Sequence, residues 1–228
     1  AQSEELMRRK LELIAAQDAT ITAFCALAEA RDYETGNHIR RTQHYVLVLC
    51  EHLSGHPRFA AELTTQSVQL IFKSAPLHDI GKVAIPDAIL HKPGKLDANE
   101  WKLMQQHAQF GLDILQRSQR PLMKLGAEIA MSHHERWDGS GYPSGLAGTA
   151  IPVSGRITAL ADVFDSLGSR LSYKEPWSQE MVVNAMREGR GVQFEPALVD
   201  LLLDNLASFN ALRQQFPDDC TDAAPDGG

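Results

Sequence analysis

The chain has 228 residues, 43% of them apolar, and a formal net charge of −7. That is enough for a core in one large domain, or one domain plus a helical appendage, and it excludes the broad basic field of a nucleic-acid binder. The longest apolar run, Tyr45 to Cys50, is far shorter than the ~20 residues of a bilayer span, so no membrane insertion is expected. The charged start, Glu4 to Lys10, is unlike a signal peptide. Three scattered cysteines, Cys25, Cys50 and Cys220, form no C-x-x-C pair and suit free thiols in a reducing, cytoplasmic setting.

Residues 3–30 contain no Gly or Pro and predict a helix. Its first part, 1–18, reads as a charged, solvated connector, while Ile21, Phe24, Cys25 and Leu27 are apolar enough to pack. A second helix over 37–54 follows from Ile39, Thr42, Tyr45, Val46, Leu49 and Leu53 at spacings of three and four. Residues 54–66 are a loop or short helix. Val68 to His78 predicts a helix kinked at Pro76, and 85–94 is turn-rich. Asp97-x-x-Glu100 is a capping box with Asp in the Ser/Thr place. It opens a helix carrying Trp101, Met104, His107, Phe110, Ile114 and Leu115. Further helices are expected over 121–135, 153–167, 178–188 and 196–206, with a long loop at 137–152. The main domain spans 19–207, and 208–228 is a helix end and disordered tail. Strand-like alternation is almost absent, so the fold is expected to be an all-α bundle.

Candidate metal ligands accumulate along these helices. His78 and Asp79 are adjacent in HDIGK (78–82). Glu34 and His38 are four apart, on one helical face if the helix starts early enough. His107, His133, His134 and Asp162 follow, with His133 four residues after the inward-facing Ile129. Imidazole and carboxylate donors suit Zn, Mn, Fe or Ni. Eight are too many for one tetrahedral site and suit two or three metals with shared carboxylates, such as activate water and clamp phosphoryl oxygens. His44, His52, His56 and His91 lack such company and are assigned to the surface. Lys82, one turn from His78, is the best cation for charge building on a phosphoryl group. Glu135 and Asp138 are candidates to orient ligand histidines, with a cap or turn role equally open for Asp138. Arg156, Lys92 and Lys95 could steer a phosphate, with plain surface as their default.

The runs HDIGK (78–82) and HHERWDGSGYP (133–143), with RDYETGNH (31–38), IPDAILHKPGKL (85–96), GLAGTAIP (145–152) and LADVFDSL (160–167), resemble the HD-GYP subfamily of the HD metal-dependent phosphohydrolases, in order over about residues 20–200. The resemblance implies an HD-domain helical bundle whose C-terminal extension carries the GYP loop. It implies hydrolysis of cyclic di-GMP to pGpG and on to GMP, with a metal-bridging hydroxide attacking phosphorus. Motif by motif, it puts metal ligands at Glu34, His38, His78, Asp79, His107, His133, His134 and Asp162, most often for Fe or Mn. Asp79 bridges, and Glu34 is the position linked to a third metal. Substrate contacts fall on Lys82, Asp165, Lys174 and the GYP-loop Tyr142, which could instead only pack. The family's usual Arg is replaced by Leu171, with Arg170 one residue early, a shift of ~100° on a helix. That departure leaves pGpG or a mixed cyclic dinucleotide as alternative substrates; a non-catalytic cyclic di-GMP receptor is a separate rival reading, against which the complete ligand set argues. The resemblance also implies an N-terminal receiver domain, diguanylate cyclase domains as partners of the GYP loop, and room for a homodimer.

Overall fold

The computed structural model describes residues 2–29, 31, 37–169 and 176–218. Glu34, Arg170, Leu171, Lys174 and Cys220, and most of the expected tail, lie outside these residues. Among the described residues there are α-helices and 3-10 turns but no strand, as an all-α bundle requires. In chain order they are α1 (Gln2–Glu29), α2 (His38–Ser54), α3 (Thr65–Ser74), 3-10 turns Ala75–Leu77 and Ile80–Ala84, α4 (Asp87–Leu90), α5 (Ala98–Met104), α6 (His107–Leu115), α7 (Pro121–Ser132), a 3-10 turn Gly148–Ala150, α8 (Val153–Gly168), α9 (Gln179–Gly189), α10 (Pro196–Asp204) and α11 (Leu206–Gln215).

Two apolar clusters organise the bundle. The larger joins α2, α3 and α8 to α9, α10 and α11 around Tyr45, Leu49, Ile157, Leu160, Phe164 and Leu198. Phe209 of α11 is buried in it, beside Tyr45 and Phe164. Helical packing therefore continues past the expected end at Leu206. The smaller cluster seats α1 against the 3-10 turns, α6 and α7, through Ile21, Cys25, Leu77, Ile80, Leu115 and Leu122.

The inner face of α1 is Ile21, Cys25 and Ala28, and Asp18 pairs with Lys73 at 2.8 Å. Phe24 and Leu27, expected to pack, are exposed instead, because each is rotated by one residue from that stripe. By length and composition α1 is apolar enough to cross a membrane, which the run-length reading does not register. Here its C-terminal part is seated on the domain.

The capping box forms as expected. Asp97 Oδ1 accepts from the Asn99 and Glu100 amides at 2.8 and 3.0 Å, and Glu100 Oε2 accepts from the Asp97 amide at 2.7 Å. The helix it opens ends at Met104, and a new one begins at His107. His107 is thus the first residue of α6 and not mid-helix. The kink at Pro76 is sharper than expected: α3 stops at Ser74, and His78 and Asp79 sit between two 3-10 turns.

Candidate metal centre

Seven of the eight candidate ligands come together in two groups. Asp79, His107, His133 and His134 form one, and His38, His78 and Asp162 the other, each with its donor atoms within 4.8 Å of one another. Asp79 lies between them. Its Oδ1 is 3.3 Å from His107 Nε2 and 3.4 Å from His133 Nε2. Its Oδ2 is 3.4 Å from His78 Nε2 and 2.7 Å from Lys82 Nζ. Asp162 Oδ1 is 3.4 Å from His38 Nε2 and 3.9 Å from His78 Nε2.

The imidazoles are aimed from behind. His78 Nδ1 meets the Ala75 carbonyl at 2.9 Å, His107 Nδ1 the Met104 carbonyl at 2.7 Å, and His133 Nδ1 the Ile129 and Ala130 carbonyls at 3.1 Å. A carbonyl only accepts, so each Nδ1 carries a proton, and Nε2 is the nitrogen each ring turns inward. His78 Nε2, His133 Nε2 and Asp79 Oδ1 are buried without a hydrogen-bond partner. Buried polar atoms are normally paired. Converging nitrogen lone pairs and carboxylate oxygens are the donor set that divalent transition metals take. His134 Nε2 stands 3.1 Å from His107 Nε2, a spacing that calls for a cation or a proton between them.

Electrostatics separates the groups. Burial pushes the His107 pKa down to about 4. Burial, then His133 and His107, hold His134 well below the ordinary range. Burial also opposes charge on His78, but Asp79 and then Asp162 outweigh it and raise its pKa to about 9. Asp79 is buried too, yet Lys82 and His78 hold its carboxyl well below the usual carboxylate range.

Several expectations need correction. Asp165, expected at the substrate, is fully buried behind His38: its Oδ2 is 2.8 Å from His38 Nδ1, and Arg41 Nε donates to its Oδ1 at 2.8 Å. Burial opposes its ionisation, but His38 and Arg41 lower its pKa to about 2. Glu135 orients no histidine, because its two oxygens accept the Ser144 and Leu146 amides at 2.7 and 2.9 Å and pin the GYP loop. Asp138 closes a turn on Ser140. Arg156 is buried against Glu195 and the Ile151 carbonyl, and Lys92 pairs with Glu100. Neither of these two cations steers a phosphate from its place here, and Lys95 is exposed. His91, assigned to the surface, is half-buried with Nε2 on the Arg31 carbonyl. Tyr142 does lie at the centre, its ring stacked on His134 at 4.7 Å with Trp101 edge-on at 6.0 Å.

The residues missed by sequence reasoning are Arg41 and Trp101. Arg41 follows His38 by three positions, on the same helical face, and that spacing was the available signal. Trp101 is 47% exposed beside Tyr142. An exposed indole there is visible only once α5 is placed.

A family model described as HD domain matches residues 27–198, and the chain belongs to that family. Its HDIGK and GYP runs put it with the HD-GYP members, as expected. It is 53% identical over 190 residues to the 3'3'-cGAMP-specific phosphodiesterase 2 of Vibrio cholerae, covering 83% of this chain and 35% of that protein. It is 47% identical over 221 residues to a probable cyclic di-GMP phosphodiesterase of the same organism, covering 94% and 50%. It is 40% identical over 222 residues to the cyclic di-GMP phosphodiesterase response regulator RpfG of Xanthomonas campestris, covering 94% and 58%. The chain therefore spans between 35% and 58% of the length of these relatives. Among solved structures, a cyclic GMP-AMP specific phosphodiesterase of V. cholerae shares the fold at TM-score 0.59 and 20% identity, covering 85% of this chain and 50% of that one. An HD-GYP-type protein of Bdellovibrio bacteriovorus does so at 0.53 and 18%, covering 75% and 51%.

Proposed function

We propose that the chain is the hydrolytic domain of a metal-dependent cyclic-dinucleotide phosphodiesterase. The observation that carries this is the pair of ligand groups sharing Asp79, with lone pairs converging from α2, α6, α7, α8 and the turn after α3. Divalent cations held there, Fe or Mn as the family resemblance implies, would activate water and neutralise phosphoryl charge. His38, His78 and Asp162 would hold one, His107, His133 and His134 the other, and Asp79 both. Glu34, outside the described residues, remains the proposed ligand for a third.

The reaction adds water oxygen to phosphorus and breaks the bond from phosphorus to the 3'-oxygen, which leaves with a proton. Cyclic di-GMP thus opens to pGpG, and a second cleavage would give GMP. Lys82, paired with Asp79, puts positive charge at the rim where phosphoryl oxygens gather negative charge. Tyr142, stacked on His134, forms one wall of the substrate's place. Arg170 and Lys174 are proposed contacts from the stretch that carries Leu171. The 53% identical relative is named for 3'3'-cGAMP, which favours that mixed dinucleotide as a second substrate. The greater length of the relatives, one named a response regulator, fits a receiver domain upstream in the whole protein.

Purified chain loaded with Mn²⁺ or Fe²⁺ should open cyclic di-GMP, 3'3'-cGAMP or both, read by chromatography of the linear product. Turnover of neither, by a chain of measured metal content, would overturn the reading. Equal turnover by the metal-free chain would overturn its metal dependence.

A further inference from the structure

Arg41 is buried to 1% exposure, and its planar fork of five donors is used in three directions. Nε and Nη2 take Asp165 Oδ1 and Oδ2 at 2.8 and 2.9 Å. Nη2 also donates to Ser169 Oγ at 2.9 Å. Nη1 donates to the Phe216 carbonyl at 2.9 Å and faces Asp218 Oδ1 at 2.8 Å. Asn37 Nδ2 donates to the Pro217 carbonyl at 2.6 Å. The three residues after α11 are therefore tied to the first turn of α2, where His38 begins the helix. Asp165, the carboxylate under Arg41, is also the group on His38 Nδ1 at 2.8 Å.

We infer that segment 216–218 is a working part of the metal centre, which through Arg41 and Asp165 holds His38 in the orientation that binds a cation in the His38, His78 and Asp162 group. The inference rests on the metal-centre reading above. Arg41 is a positioning residue, since it reaches the centre only through Asp165 and His38. The physical case is charge balance in a dry place. Asp165 without a counter-charge would be costly to bury, and Arg41 supplies one in bidentate form. Asp218 offsets the second face of the same guanidinium. With it gone, Arg41 draws more strongly on Asp165, and the node behind the cation site goes from a net charge of one negative to neutral, which weakens its pull on a cation. Ser169 Oγ also meets Asp165 Oδ2 at 3.0 Å, so the same node fixes the residue from which the 170–175 stretch departs.

The other group has no such support, because carbonyls back His107 and His133. The test exploits that difference. Metal-free full chain is titrated with Mn²⁺ alone by calorimetry, for the parent, Arg41→Lys, Asp218→Asn and the double variant, with the thermal midpoint measured on each. A lysine keeps the charge but cannot span Asp165, Ser169 and Phe216 together. Arg41→Lys should weaken one class of Mn²⁺ site about tenfold or more, as losing a ligand's supporting partner does, and leave the other within about twofold. Asp218 is 28% exposed, so Asp218→Asn should weaken the same class by on the order of threefold. In the double variant the two losses should combine to less than their product, because the substituted lysine no longer reaches residue 218. Unchanged Mn²⁺ affinity in both single variants, or equal weakening of both classes, overturns the inference. If Arg41→Lys does not fold, Asp218→Asn decides: no change in either class overturns it. A parent that takes up no Mn²⁺ sinks the metal-centre reading itself.

Discussion

The two ligand groups are built from the same donor types and differ in how much charge surrounds them. Around His107, His133 and His134 the support is neutral: backbone carbonyls of α5 and α7 take the Nδ1 protons, and burial keeps His107 and His134 uncharged. Around His38 and His78 charge is added: Asp165 stands behind the His38 ring, and Asp79 with Asp162 draws a proton onto His78, although the Ala75 carbonyl backs that ring as in the first group. A neutral pocket is ready for a cation at neutral pH. A charged one must first expel a proton, so its affinity is the more dependent on pH. The first group is set by local backbone, the second by partners far apart in the chain.

The comparison is broken most completely at the residue both groups share. Asp79→Ala should strip cations from both and lower turnover roughly 10³-fold or more, several kcal/mol of barrier. Metal analysis and a steady-state assay on one sample check this, and a variant that kept one full equivalent would show that Asp79 serves one group only. Lys82→Met should leave metal content near the parent's and lower kcat by about 10²-fold. If KM alone rises, Lys82 binds the substrate uniformly and does not serve the transition state.

The smallest effect sharpens the contrast without mutation. In the metal-free chain the raised pKa of His78 contributes stability that is fully present below pH 6.5 and lost as pH rises through about 9. The depressed pKa of His107 acts in reverse: its contribution is fully present above pH 6.5 and lost as pH falls through about 4. The thermal midpoint of the metal-free chain should therefore peak near pH 6.5 and fall on both sides. A midpoint that keeps rising from pH 6.5 to 9 would show that the charged support of His78 is misassigned.

The helices and the ligand set were legible because both depend on local spacing. His133 inherits its inward direction from Ile129, and the Asp97 box announces α5 by itself. What escaped depends on residues that meet across the chain. Asp165 looks like a substrate group until Arg41, 124 positions away, is seen to occupy it. Arg156 looks like a surface cation until Glu195 covers it. Phe24 and Leu27 are as apolar as their neighbours, and only the docking of α1 decides which stripe is buried. The break before His107 carries no Gly or Pro, and only the folded chain shows Met104 turned to the His107 ring.

Gly81 has one more consequence. A β-carbon there would fall 1.9 Å from the His107 carbonyl oxygen and 2.5 Å from the Gly111 amide nitrogen, so the turn bearing Asp79 rests on α6 main chain against main chain. Side chains can swing between rotamers, but peptide groups in contact have almost no play. The gap between Asp79 and His107 is thus gauged by covalent geometry. The HDIGK glycine is the shim that sets it, and the centre tolerates repacking around this point but not the addition of one carbon.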